Sequence, residues 1–194
     1  MNIISNVCSG AYLYKKMGCK YNNPFMWSVL HYNDLKELCT NFENIDFDYA
    51  LPIKCERVKD AWSILIDEKI LVEYVHNLQN PNYSIPTKVN DNVLYNKMWK
   101  YTFDKYMERL ARMKDTNENP VFLIMDFKDD LTYENTLDLI KNTKYKMIVF
   151  TNRDYKYKNE SVMIIKTNLT DSQQFNYPAD EFINKYYNNI LRFL

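Results

Sequence analysis

The apolar positions of the chain change period several times, and each change marks an element. Ile3-Ile4 sits in a short apolar run from Asn2 to Ser5, and the turn residues Asn6 to Ser9 follow it. This predicts a buried strand and a tight turn. From about Gly10 to Met17 the spacing is helical, and Gly18 stands where a left-handed residue would close the helix. Pro24-Phe25-Met26-Trp27 forms an apolar lid or buried turn. Asp34 and Glu37 resemble a capping box and open a helix that buries Leu35, Leu38, Cys39 and Phe42. Leu51 to Val58 is a candidate strand. Ile64-Leu65-Ile66 and Ile70-Leu71-Val72, split by Asp67-Glu68-Lys69, predict a hairpin whose second strand ends at Glu73-Tyr74-Val75-His76.

The second half is more strongly patterned. Asn77 to Asn92, with Pro81 and Pro86, has the composition of a long surface loop. Val93 to Lys114 repeats Trp99, Phe103, Tyr106, Met107, Leu110 and Met113 at helical spacing, a stripe that predicts a core-facing helix. Val121 to Met125 is continuously apolar, as strands covered on both faces are. Thr132 caps a helix burying Leu137, Leu139 and Ile140, and Met147 to Phe150 is a second buried strand. Together they predict a βαβ unit with a right-handed crossover. A short strand at Val162 to Ile165 follows. Pro178, Asp180 and Glu181 then start a terminal helix burying Phe182, Ile183, Tyr186, Ile190 and Leu191. The pattern predicts an α/β fold: a single layered domain over residues 1–194 with a mixed, partly parallel sheet flanked by helices.

Composition narrows the partners. The 194 residues suffice to bury close to 70% of the unfolded surface. Lys+Arg and Asp+Glu both number 25, so no net charge draws the chain to nucleic acid or an anionic membrane. Arg153 to Lys158 interleaves cations and aromatics, as single-stranded nucleic-acid surfaces do, but it is short and flanked by charges of both signs. No apolar run approaches the length of a membrane span and no signal-peptide pattern opens the chain, which places it in the cytoplasm with reduced thiols. Cys8, Cys19, Cys39 and Cys55 have no metal-ligand spacing. No P-loop, dinucleotide-binding glycine pattern, H-E-x-x-H or G-x-S-x-G occurs, so no cofactor and no metal is expected.

The chemistry concentrates at the start. Gly10 and Gly18 are the only glycines, and Cys8 falls at the strand-to-helix turn between the first strand and Gly10. A thiol at the positive end of a helix dipole is favoured as thiolate, which makes Cys8 the candidate nucleophile. The chain has two histidines. His76, where a strand runs into the long loop, is the preferred general base, with His31 the other candidate. Asp126, directly after a buried strand, is the candidate to orient the imidazole, with Asp129 and Asp130 as neighbours able to do the same. Arg109 and Arg112, one turn apart, are suited to holding a phosphate or carboxylate.

Ile4-Ser5-Asn6, Cys8, Gly10, Tyr14, Gly18 and Tyr21-Asn22 with Pro24-Phe25 resemble the opening of an uncharacterised bacterial family of exopolysaccharide-biosynthesis proteins. Similarity continues through His76, Trp99, Arg109, Arg112 and Phe150-Thr151-Asn152, covering roughly residues 3 to 155. The family usually carries a second histidine where this chain has Tyr74. It is also similar to groups labelled papain-like cysteine peptidases. The resemblance implies a Cys-dependent hydrolase or acyl-transfer enzyme acting on a glycan precursor or carrier-linked sugar. Ser5, Asn6, Gly10 and Asn22 of the opening motif, with Arg109 and Arg112, are then the candidate substrate contacts. The rival expectation is a non-catalytic glycan- or partner-binding protein of the same machinery.

Overall fold

The computed structural model describes residues 1–54, 62–74, 92–127, 131–168 and 179–194. His76, Cys55, Asp129 and Asp130 lie outside the described residues. The order is β1 (Asn2–Ser5), α1 (Ser9–Met17), α2 (Tyr32–Asn41), a 3₁₀ turn (Phe42–Asn44), β2 (Ala50–Lys54), β3 (Trp62–Ile66), β4 (Ile70–Tyr74), α3 (Asn92–Thr116), β5 (Pro120–Met125), α4 (Tyr133–Asn142), β6 (Lys146–Thr151), β7 (Val162–Lys166) and α5 (Ala179–Phe193). The fold is α/β.

Four strands form a parallel sheet in the order β1-β5-β6-β7. The unbroken apolar run of β5 is explained by its position: all six of its residues are buried, because both sheet faces are covered. Ile3, Leu123, Met125, Ile148 and Phe150 pack on one face with residues of α1 and α5, including Leu13, Tyr14, Phe182 and Ile183. Ile4, Phe122, Ile124, Met147 and Val149 pack on the other with α2, α3, α4 and the second sheet. β5, α4 and β6 make the expected βαβ unit, and the Thr132 hydroxyl accepts from the Asn135 N–H to cap α4.

β2, β3 and β4 form a separate antiparallel meander. Asp67 and Glu68 have φ of 51° and 55°, as a primed hairpin turn requires at both central positions. The bursts on either side of Asp67-Glu68-Lys69 are therefore two strands of one hairpin. The expected strand from Leu51 is described only to Lys54.

Two amphipathic stripes need correction. On α3, Tyr106, Leu110 and Met113 are buried, but Met107 on one side of the stripe is 38% exposed, while Arg109 on its other side is only 6% exposed. On α5, Leu191 is likewise on the exposed side while Ile190 is buried. In both helices the residue that departs from expectation lies at the edge of the apolar stripe, where 3.6-residue spacing leaves burial ambiguous.

β1 is an edge strand, and edge strands carry a row of unpaired backbone groups. Here side chains cover them. The Tyr14 hydroxyl accepts from the Ile3 N–H at 3.0 Å and donates to the Met1 carbonyl at 2.5 Å, and Asn23 Nδ2 donates to the Ile3 carbonyl at 2.8 Å. Burial raises the Tyr14 phenol to about 12.

Gly18 closes α1 with φ 67°, and a Cβ added there would touch nothing within 4 Å. Its cost on substitution is therefore purely conformational. Gly18→Ala should lower stability by about 1 kcal/mol, and Gly18→Asn by less, read from urea midpoints at unchanged slope.

Candidate functional site at the carboxyl edge of the parallel sheet

All four parallel strands end on one edge, the place where open α/β sheets bind ligands. There β1 delivers Asn6 to Cys8, β5 delivers Asp126, β6 delivers Thr151 to Arg153, and β7 delivers Thr167. Asn6 joins two of these ends. It is fully buried, its Nδ2 donates to the Met125 carbonyl at 3.0 Å, and its Oδ1 accepts from the Met125 N–H at 2.9 Å. Its own carbonyl accepts from the Leu30 N–H at 3.3 Å. Cys8 follows Asn6 by two residues, Asp126 follows Met125 and His31 follows Leu30. One asparagine thus ties together the backbone beside three of the candidate residues, Cys8, His31 and Asp126.

Cys8 is the N-cap of α1 and half-buried. Behind it the turn is held by the Ser5 hydroxyl, 2.7 Å from the Ser9 hydroxyl and 3.4 Å from the Val7 N–H. Gly10 lets α1 approach β1: an added Cβ would lie 3.2 Å from Ser5 Cβ and 3.4 Å from Met26 Cε. Ser5, Asn6 and Gly10 are all buried and build the turn that presents Cys8. Asn22 is on the outer edge of β1, its side chain against the Tyr14 hydroxyl.

His31 is in a different setting from the one its sequence neighbours suggest. Val29 and Glu73 exchange backbone hydrogen bonds of 2.8 and 3.2 Å, so the segment before α2 crosses from Asn6 to the free edge of β4. His31 Nε2 then lies 3.1 Å from Glu73 Oε2, with His31 19% and Glu73 3% exposed. Asp34 fixes the histidine from behind. Its Oδ2 accepts from the His31 N–H at 3.2 Å, the His31 side chain accepts from the Asp34 N–H in return to complete a capping box, and the Asp34 Oδ1 accepts from the Leu71 N–H at 2.8 Å, tying the start of α2 to the hairpin. Glu73 was read only as a strand end. Its signal was a carboxylate inside the otherwise apolar Ile70-Leu71-Val72-Glu73-Tyr74.

Asp126 is 0% exposed. Its Oδ2 accepts from the Thr151 hydroxyl and, at 2.8 Å, from the Tyr155 hydroxyl, and Arg153 Nη1 stands 3.9 Å away. Its Oδ1 is buried without a hydrogen-bond partner. Burial, opposed by these donors and the Arg153 charge, raises its carboxyl above the ordinary value, and burial also pushes the Tyr155 phenol to about 12. Arg153 and Tyr155 thus face inward, in the very stretch whose alternation resembled a nucleic-acid surface. Among the described residues no group of three or more His, Cys, Asp or Glu could hold a metal.

Arg109 and Arg112 sit on α3, away from the strand ends. Arg109 Nη1 donates to the Met26 carbonyl at 3.0 Å and its guanidinium covers the Tyr21 ring at 5.8 Å. Arg112 pairs with Glu108 at 2.8 Å.

The arrangement defines an α/β protein with a polar, partly buried cluster at the carboxyl edge of a parallel sheet. The chain belongs to the family described as Domain of unknown function (DUF1919), whose model matches residues 1–191. No curated protein matches it.

Two outcomes follow from the geometry. Asn6→Ala leaves the buried N–H and C=O of Met125 without their side-chain partner and should cost about 3 kcal/mol in chemical denaturation. Asp126 has a folded-state pKa raised above its ordinary 3.8. Its contribution to stability is therefore complete below that value and is lost as pH rises through the folded pKa. Relative to the wild type, Asp126→Asn should gain stability as pH increases across this window, and a pH-independent difference would contradict it.

Proposed function

We propose that the chain is a thiol-dependent acyl-transfer or hydrolytic enzyme of bacterial surface-polysaccharide assembly, acting in the cytoplasm as one domain on a glycan precursor or carrier-linked sugar. The observation that carries the reading is the His31–Glu73 pair of 3.1 Å at one end of the Asn6–Leu30 link, with Cys8 at the other. Nucleophile, imidazole and orienting carboxylate are the parts of a covalent acyl-transfer centre.

His31 takes the thiol proton on Nδ1, releasing the bond it accepts from the Asp34 N–H, while Glu73 holds Nε2 and balances the imidazolium that forms. The Cys8 thiolate attacks the acyl carbonyl, the first-turn N–H groups and dipole of α1 favour the developing negative charge, and the leaving alcohol departs with the proton from His31. A thioester on Cys8 results. Water or an acceptor hydroxyl, deprotonated by His31, then attacks it and restores the thiol. Asp126, fully buried and bonded to Thr151 and Tyr155, acts in this scheme by shaping the strand ends rather than by orienting the base. The role assigned from sequence to His76 passes here to His31, the other candidate.

The experiment is the pH dependence of Cys8 alkylation by iodoacetamide in the native protein, followed by peptide mass spectrometry. In the wild type Cys8 should react with an apparent pKa below the thiol reference of about 8.5. His31→Ala should abolish that advantage and Glu73→Gln reduce it, while His76→Ala leaves it unchanged. Dependence on His76 instead of His31 would reassign the base. Equal reactivity in all four proteins, at the ordinary thiol pKa, would refute the nucleophile and favour a non-catalytic glycan-binding role.

A further inference from the structure

Buried charges are normally neutralised by a partner of opposite sign, because removing an ion from water costs several kcal/mol. Arg109 departs from that rule. It is 6% exposed, yet among the described residues its polar partners are the Met26 carbonyl and the Tyr21 ring, and no carboxylate lies in ion-pair range. Arg112, one turn along α3, has a buried Nε with no hydrogen-bond partner, although its Nη1 is bound to Glu108. The same helix face carries Lys105, bound to the same Glu108 carboxylate at 2.6 Å. Two cations thus share one carboxylate and Arg109 has none among the described residues, which leaves these four groups with two positive charges in excess. Burial is the main effect disfavouring the Arg109 cation, with Arg112 adding to it and Tyr74, Tyr21 and Glu108 opposing, so an anion at this point would relieve a cost the burial imposes.

The surroundings connect this charge to the thiol. Tyr21, under Arg109, meets Trp27 edge-on at 6.3 Å, and Trp27 meets Tyr12 at 5.6 Å. Tyr12 lies one turn beyond Cys8 on α1, at the spacing that puts side chains on one helix face. All three rings are half-buried. Half-buried aromatic rings suit the C–H faces of a sugar, and a guanidinium fork suits a phosphate.

We infer that Arg109 and Arg112 form a phosphate subsite, and that the substrate is a glycan precursor bearing a phosphate or diphosphate, its sugar lying along Tyr21, Trp27 and Tyr12 toward Cys8. This rests on the reading of Cys8 as nucleophile for the direction of the sugar, but the anion site stands on its own geometry. Nucleotide-linked and lipid-linked sugars share the diphosphate, and both are probed below.

The test is calorimetric titration of the full chain with inorganic pyrophosphate, with glucuronate as a carboxylate control, at two salt concentrations. Pyrophosphate should bind, more weakly at higher salt, and glucuronate should bind far less. Arg112→Gln, which changes a partly exposed residue and spares the fold, should weaken pyrophosphate at least about tenfold, the loss of roughly one charge-assisted hydrogen bond. Arg109→Lys, which keeps the charge but loses the fork, should weaken it similarly. Cys8→Ser should leave it unchanged. UDP-N-acetylglucosamine and a short-chain prenyl diphosphate, titrated in parallel, identify the source: the natural class should bind more tightly than pyrophosphate, and Tyr12→Ala should remove the excess for the sugar-bearing ligand. No pyrophosphate binding, or binding indifferent to both arginine substitutions, overturns the inference. Preference for glucuronate overturns the phosphate assignment. An inert Cys8 with intact pyrophosphate binding refutes the enzyme and leaves the anion site standing, so the two failures are separable.

Discussion

The buried carboxamide of Asn6 is the constraint on which the rest depends. β1 pairs with β5 only as far as Ser5 opposite Leu123, and beyond that point the backbone leaves the sheet. The Asn6 side chain takes over the pairing, donating to and accepting from Met125 as a backbone unit would. This frees the Asn6 main chain to turn into α1 and to accept Leu30. Neither partner is optional, since a buried backbone group left unbonded costs about 1–3 kcal/mol. A glutamine would be one methylene too long and an aspartate would lack the donor. Asn6 is therefore a structural residue whose consequence is chemical: it decides where Cys8, His31 and Asp126 leave the scaffold.

Among the buried charged side chains described around that hub, Glu73, Asp126 and Arg109 are treated differently. Glu73 faces a histidine, and Asp126 is held by two hydroxyls with an arginine at 3.9 Å. Arg109 has a carbonyl and an aromatic ring. The first two are internally compensated, so they belong to the architecture of the site. Among the described residues the third is compensated least, with no carboxylate in ion-pair range, and that is the ground of the proposed anion site. Hydrogen bonds and cation–π contact offset part of the desolvation, but not the net charge.

The parallel strands were legible because burial on both faces writes itself as continuous apolar runs: Val121–Met125 and Met147–Phe150 differ from the observed strands by one or two residues at the ends. Gly18 and the Thr132 cap of α4 were legible for a local reason, since each acts within one helical turn, whereas α2 starts earlier than the Asp34 and Glu37 pair suggests, with His31 as its N-cap and Asp34 at the third helical position. Long-range polar contacts leave no such trace. Nothing near Glu73 in sequence points to His31, 42 residues earlier, and nothing near Asn6 points to Met125, 119 residues later. Arg109 illustrates the other limit. Its neighbours Glu108 and Arg112 read as a solvated face, and the burial of the residue between them depends on the turn that brings Met26 over the helix.

That turn is where the two halves of the proposed site meet. Residues 24–27 touch α1 through Met26, whose methyl would contact a side chain at Gly10, and reach α3 through the Met26 carbonyl on Arg109. Trp27 ends the turn with φ 63°, a left-handed conformation that costs a bulky residue on the order of 1 kcal/mol or more. A strained residue persists only when its surroundings over-determine it, and here edge-on contacts with Tyr12 on one side and Tyr21 on the other do so. The strain has a geometric return. It places the indole between Tyr12, one helical turn beyond Cys8, and Tyr21 under the Arg109 guanidinium, so that packed aromatic groups line the way between the two proposed subsites. A substrate that spans the two would thus meet a preorganised ruler, in which the separation between the reacting bond and the anion is itself a source of specificity.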